Sequence, residues 1–381
     1  MVSVKDYGAL GDGKADDFAA IQAALQSGDD TVLIPAGEYH VYSTLTVGSN
    51  MHIIADKCAR IVMKSKKRRA RGEFLLSNSD PLFGNENITI EGGIWDGCNT
   101  DPAHKKPDLF DKNGYSGAVI NLVGVSGLKL SGMVVSNSVT YYIRMSKIEN
   151  FIIEDIDFVS DNFGVNQDGL HFGGGVRRGR VKNIRALTAG QTNDDMIALN
   201  ADDSVERVEN LDIQRDAIED ISFENIYAEN CYTIVRLLSI TAPIRRISFK
   251  NISCGFRCYA INADGARYCK TPLFKEEDKP DGVGEISDIS FDGFTCRPIT
   301  DCLPDFNGAK GNCDTAISLE SRMKNVTIRG FRYICDRPEN YPALTVKNLS
   351  ECKLNIDKKH YTVVGKDDVL RVNSFEELKI N

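Results

Sequence analysis

Ile221-Ser222-Phe223-Glu224-Asn225-Ile226 and Ile247-Ser248-Phe249-Lys250-Asn251-Ile252 share one six-residue frame: apolar, any, apolar, any, Asn (or Gly or Asp), apolar. The period-2 alternation marks a short strand with one buried face. The Asn or Gly then supplies the turn that swings the next strand inward, because both residues tolerate turn conformations. The frame recurs on either side. Ile289 to Phe294 and Val326 to Phe331 follow; Leu128 to Met133 and Phe151 to Ile156 precede, as does Gly179 to Ile184 with Gly in the first slot. A further copy starts at Ile88, with its last apolar residue, Ile94, one place late. Starts at 128, 151 and 179, and at 221 and 247, are spaced by 23, 28 and 26 residues, the length of one bare coil. The intervals of 40 and 42 residues from 88 and 179 leave room for long loops.

A unit of this size cannot bury its own apolar face, so neighbouring copies must stack into a solenoid. Short strands, Asn/Gly turns and scarce helical periodicity make it an all-β fold, a right-handed single-stranded parallel β-helix. Equal positions of successive frames then stack, which places Phe223, Phe249 and Phe291 in one internal ladder. A β-sandwich or propeller would need hairpins, and no gap reads as Asn-Gly between two apolar runs.

The chain of 381 residues is long for one globular core, but solenoids grow by adding coils. We expect a single β-helix domain over 1–381, with 1–50 as cap and first coil and 51–381 as coils carrying long loops. The opening reads strand, glycine loop, helix, strand. Asp16 or Asp17 caps a helix whose apolar stripe is Phe18, Ile21 and Leu25. Such a helix would cover the open end, whose bare strand edge otherwise invites aggregation. Gly8, Gly11 and Gly13 do not form a dinucleotide fingerprint, since the spacing differs and no βαβ unit follows. The composition, 26% charged and 42% hydrophobic, is that of an ordinary globular chain, and no apolar run approaches a membrane span. The first residues carry neither a basic nor an apolar leader region. We therefore expect a cytoplasmic chain, or a secreted one whose signal was trimmed. Eleven scattered Cys without paired zinc spacing read as free thiols; Cys296, Cys302 and Cys313, in loop sequence, could oxidise on export.

Chemistry concentrates in two acidic stretches. Asn166-Gln167-Asp168-Gly169 precedes Asp194-Asp195 by one coil, Asp168 and Asp194 being 26 residues apart. Stacking would gather three carboxylates at one point, and such a set can hydrolyse a glycosidic bond with one member as acid and another as base. Adjacent strand residues point to opposite faces, so Asp194 and Asp195 can share a cleft only if the chain bends there. The alternative readings are a turn-capping Asp168 and a solvated Asp194-Asp195 pair. His171 follows Asp168 by three residues, a position open to structural and substrate-binding roles alike. Arg236 lies within the apolar stretch TIVRLLSI, so it needs a carboxylate partner, for which Asp168 or Asp195 is the candidate. Asp202 and Asp203 read as solvated, with cation ligation as the alternative in a lyase. The basic run from Lys64 to Arg71 reads as a loop, either merely solvated or a positive wall for an acidic sugar chain.

The opening Val4 to Ala9, with Gly11-Asp12-Gly13, Asp16-Asp17 and Ala20-Ile21-Gln22, resembles that of the pectate-lyase-like β-helix superfamily. Residues of about 115–240 are similar to glycoside hydrolase family 28, the polygalacturonases. Asn166-Gln167-Asp168-Gly169 resembles that family's Asn-Thr-Asp-Gly, and Asp194-Asp195 with Ile197-Ala198 its Asp-Asp-x-x-Ala. Arg236 falls at the Arg of its Arg-Ile-Lys, and Tyr141-Tyr142 loosely match its aromatic substrate-facing step. The family's Gly-His-Gly is missing, Leu238 replaces the Lys, and His171 replaces a residue that is often acidic. The resemblance implies an inverting glycosidase acting on a polysaccharide or oligosaccharide, pectin-like or uronate-containing chains among them. Asp194 would be the acid, with Asp168 and Asp195 positioning water. Asn166, His171, Arg236, Tyr141 and Tyr142 would bind substrate. No cofactor or metal is implied, and no nucleic-acid or membrane partner. A polysaccharide lyase or epimerase on a uronate polymer, and a non-catalytic tailspike-like carbohydrate-binding β-helix, remain open.

Overall fold

The computed structural model describes residues 1–64, 73–100, 117–164, 166–202, 214–268, 272–299, 314–365 and 368–381. Within it every six-residue frame lies parallel to, and in register with, the next. Ile221, Phe223 and Ile226 pair with Ile247, Phe249 and Ile252, which pair in turn with Ile289, Phe291 and Phe294. The frames at 128, 151 and 179 stack the same way, and the copy at 88 joins them through Ile88 and Ile90 opposite Leu128 and Leu130. The chain is thus an all-β parallel β-helix. The Phe ladder is continuous: ring centroids of Phe223 and Phe249 lie 4.7 Å apart, those of Phe249 and Phe291 4.6 Å. Both pairs are stacked within 11° of parallel, in a fully buried column.

The fifth place of the frame makes the turn for a definite steric reason. Asp155, Asn183, Asn225 and Asn251 there all take φ between 56° and 58°, a left-handed conformation that Asn and Asp enter more readily than other side chains. Their side chains then bond along the stack: Asn183 Nδ2 donates to Asp155 Oδ1 at 2.8 Å, and Asn225 Nδ2 to Asn183 Oδ1 at 2.8 Å. The Gly in the first slot at 179 also has a cause. A Cβ there would meet the Phe151 ring at 1.9 Å, so the ring of the preceding coil fills the space a side chain would need.

The N-terminal end is closed by the helix Phe18–Leu25, with Ile21, Ala24 and Leu25 buried and Phe18 packed against the core. Gln22 seals the strand edge: its amide donates to Thr46 O at 3.0 Å and accepts from Thr46 N at 2.8 Å. The capping differs from expectation. Asp17 stands at the N-cap, but its carboxylate accepts from Leu10 and Gly11 in the glycine loop, while Asp16 accepts from Phe18 N at 3.1 Å. At the other end the parallel order stops. Leu349–Ile356 and Lys359–Gly365 form an antiparallel pair, and Leu378–Ile380 adds antiparallel to both Leu349–Ile356 and Met323–Tyr333. A β-helix must cover its last coil, and folding the chain back does so. One core cluster runs from Val4 to Ile380. Cys231, Cys254 and Cys258 are buried free thiols and Cys296 is buried, whereas Cys302 and Cys313 lie outside the described residues. Among the described residues no helix is long and apolar enough to cross a membrane.

Candidate active site

The site is built on a strand stack in which Arg144, His171, Ala198, Arg236 and Asn262 occupy equivalent places on successive coils. Asp168 stands two residues ahead of the strand Leu170–Phe172, and backbone bonds fix it there. Tyr142 N donates to Asp168 O at 2.8 Å, and Gly169 N to Asp195 O at 2.9 Å. Gly169 is required for space: a Cβ would meet Met196 O at 2.6 Å and the Phe158 ring at 2.8 Å.

Asp194 occupies a bend, and Asp195 opens the strand Asp195–Asn200. That bend lets neighbouring residues turn to one point. One carboxylate oxygen from each of Asp168, Asp194 and Asp195 lies within 4.8 Å of the others. Asp168 and Asp195 are each 3% exposed and Asp194 is half-buried, so Asp194 is the member that opens outward. The spacing is tighter than the roughly 6.5–9.5 Å of an acid–base pair that holds water between its members. Three carboxylates so close cannot all be ionised cheaply. Burial first, and then the charges of Asp194 and Asp168, raise the pKa of Asp195 well above the usual carboxylate range, with Arg236 pulling it back. The same oxygens are close enough to share a divalent cation.

Asp168 has a side-chain partner within its own segment. Its Oδ2 faces His171 Nδ1 at 2.7 Å, both side chains being buried. This places His171 beneath the trio as the partner that orients Asp168. Tyr141 is 2% exposed, and its ring centroid is 4.4 Å from that of His171, which also makes it a supporting residue. Tyr142 corrects the sequence reading of a substrate contact. It is fully buried in the main core against Phe158, at 4.8 Å between ring centroids, whereas Tyr141 packs in a separate small cluster with Phe74 and Ala118. Asn166 sits in the turn with φ 55° and a half-buried side chain, and no described contact ties it to the trio.

Arg236 finds its carboxylates as its burial demands, but the nearer one is Asp264. Its Nη2 lies 3.2 Å from Asp264 Oδ1, and its Nη1 3.9 Å from Asp195 Oδ2. Asp264 lies two residues beyond Asn262, the residue one coil on from Arg236, so the coil spacing brings it near the guanidinium. Arg257 left no such signal. It is buried, and its Nη2 donates to Gly190 O at 3.0 Å, Thr192 O at 3.4 Å and Asn193 Oδ1 at 2.7 Å. It thereby holds the segment that presents Asp194. Gln167 and Gln191 bond to each other at 3.0 Å and tie the two acidic loops together. Asp202 is a second correction. It is fully buried rather than solvated, accepts from the backbone N–H groups of Ile240, Thr241 and Ala242, and pairs with Arg215 at 3.0 Å. Asp203 and the basic residues from Lys66 to Arg71 lie outside the described residues.

Fold and site together define a parallel β-helix with a buried acidic trio. Residues 1–257 match the family described as rhamnogalacturonase A/epimerase, pectate lyase-like, and the chain belongs to that family. It is 47% identical over 111 residues to mannuronan C5-epimerase AlgE1 of Azotobacter vinelandii, covering 24% of this chain and 8% of that protein. It is 24% identical over 352 residues to exopolygalacturonase clone GBGA483 of Arabidopsis thaliana, covering 87% of this chain and 70% of the other. Among solved structures, the pre-mature bacteriophage phi29 gene product 12 superposes with a TM-score of 0.63 at 17% identity, covering 89% of this chain and 42% of that one. The match thus spans under a tenth of the epimerase and under half of the phage protein.

Proposed function

We propose that this protein is a glycoside hydrolase that cleaves a polysaccharide or oligosaccharide at the Asp168, Asp194, Asp195 trio. The observation that carries this reading is the convergence of the three carboxylates to within 4.8 Å beside the largely buried guanidinium of Arg236, 11% exposed. Asp194, the outward member, gives its proton to the leaving glycosidic oxygen as the bond to the anomeric carbon breaks. Water attacks that carbon and loses a proton to Asp168, so the trio ends with as many protons as it began. Asp195, whose pKa burial and its neighbours raise, keeps a proton inside the trio and limits the repulsion among its members. His171 holds Asp168 in place. The likeness to an exopolygalacturonase along 87% of the chain supports hydrolysis. By the resemblance to glycoside hydrolase family 28, the reaction inverts.

One observation favours a second reading. The trio could ligate a divalent cation, which elimination or epimerisation of a uronate uses to acidify the proton beside its carboxylate. The experiment is incubation with a panel of plant and microbial polysaccharides, following both new reducing ends and ultraviolet absorbance from unsaturated sugars. Hydrolysis gives reducing ends alone. Absorbance that rises with the reducing ends and disappears with chelator would overturn the hydrolase reading in favour of elimination. The appearance of neither, with polymer bound, would favour a binding module or an epimerase, and a change in the polymer's uronate composition would then mark the epimerase.

A further inference from the structure

Arg236 meets the trio, yet its charge is already engaged. Its Nε and Nη2 lie 3.3 and 3.2 Å from Asp264 Oδ1, and Nη2 lies 3.4 Å from Asp264 Oδ2. Its Nη1 faces Asp195 Oδ2 at 3.9 Å. Side-chain exposures of 11% for Arg236, 7% for Asp264 and 4% for Asp195 put the whole group out of bulk water. Asn262 Nδ2 donates to Asp264 Oδ2 at 3.4 Å and helps hold it on the guanidinium. The next cations along the coil are matched as well. Glu320 pairs with Lys347 and with Arg267, whose Nε also faces Glu276 Oε1 at 2.6 Å. Leu238, two residues beyond Arg236, is buried and apolar. Arg236, Arg267 and Lys347 are thus each opposed by a carboxylate of this chain, while the buried Arg257 donates to Gly190 O, Thr192 O and Asn193 Oδ1.

We propose that Asp264 is a specificity-determining residue: it occupies Arg236, so that the subsite over this guanidinium takes a neutral sugar and rejects a uronate carboxylate. The inference rests on the hydrolase reading above and names the substrate class at one subsite. A uronate arriving there must displace Asp264 or crowd another carboxylate into a buried site that already holds Asp264 and the trio. Like charges placed together in this way are strongly disfavoured, and a built-in repulsive element is how sites exclude a competing ligand. A neutral ring makes no such demand, and its hydroxyls can bond to the carboxylates.

Binding measured by calorimetry on the Asp194→Asn protein, in which turnover is removed, tests the proposal. The probes are oligogalacturonate, oligoglucuronate and oligomannuronate, each beside the same oligomer with its carboxyls reduced to alcohols. The reduced form of whichever oligomer binds is expected to bind about tenfold tighter or more. Adding Asp264→Asn should erase or reverse that preference by releasing Arg236. Equal binding of the two forms, or tighter binding of the uronate, overturns the proposal and leaves the hydrolase reading standing. Binding of neither form of any oligomer also overturns the proposal, since its neutral probes then find no subsite over Arg236. If Asp264→Asn does not fold, the preference measured with Asp264 in place decides alone.

Discussion

Arg236→Met removes the cation from between Asp195 and Asp264 while keeping most of the stem's volume. Both carboxylates are then left in a site where all three side chains are 11% exposed or less. Breaking a buried ion pair by deleting one partner costs about 3–5 kcal/mol, because a buried charge is left uncompensated. The cost depends on pH in a definite direction. Asp195 in the folded protein already has a raised pKa, so the native state holds its proton more tightly than the unfolded chain does. Its contribution to stability is therefore largest below the ordinary carboxylate range and is lost as pH climbs through the folded value. Arg236 is the influence that lowers that value. Without it the value rises further, and the loss reaches to higher pH. Urea unfolding of both proteins across pH should show a deficit of about 3–5 kcal/mol near neutrality that shrinks as the carboxyls protonate. A deficit that does not change with pH, or one below about 1 kcal/mol at neutrality, would refute the assignment of Arg236 as the counter-charge.

Two further outcomes are expected. Phe249→Ala should cost about 3–5 kcal/mol, since it opens a cavity between two stacked rings 4.7 and 4.6 Å away, and urea midpoints will measure it. A loss under about 1 kcal/mol would mean that the ladder is not a packed core. Arg257→Met should lower kcat by up to about a hundredfold with KM little changed, because the segment bearing Asp194 loses its anchor while the groove remains. A raised KM at unchanged kcat would instead make Arg257 a substrate contact.

The coil was legible because each frame repeats two physical demands, alternation for the buried face and a left-handed turn at the fifth place. Ile221 to Ile226 shows both, and so does every copy that stacks on it. The trio was legible because Asp168 and Asp194 are one coil apart, and because the bend at Asp194 does what two adjacent acids need. What escaped depends on geometry that spacing alone does not encode. Tyr142 was read as facing outward because two adjacent aromatics just ahead of the strand Ile143–Val159 do not say which ring turns in. Asp202 was read as solvated because its backbone partners at 240–242 belong to the next coil's turn. Arg257 gave no signal, since its carbonyl partners lie 65 and 67 residues back in the chain. The antiparallel closure after Leu349 lacks the frame altogether, so nothing periodic announced it.

The central claim is that Asp194, Asp168 and Asp195 form one catalytic unit with Asp194 as the acid. The most direct test is the turnover of Asp194→Asn on the polysaccharide that the unaltered protein cleaves, with circular dichroism confirming the same fold. Loss of a general acid predicts a fall in kcat of about 10²–10⁴ with the β-helix intact. Turnover within a few-fold of the unaltered protein, by a correctly folded Asp194→Asn chain, would contradict the account.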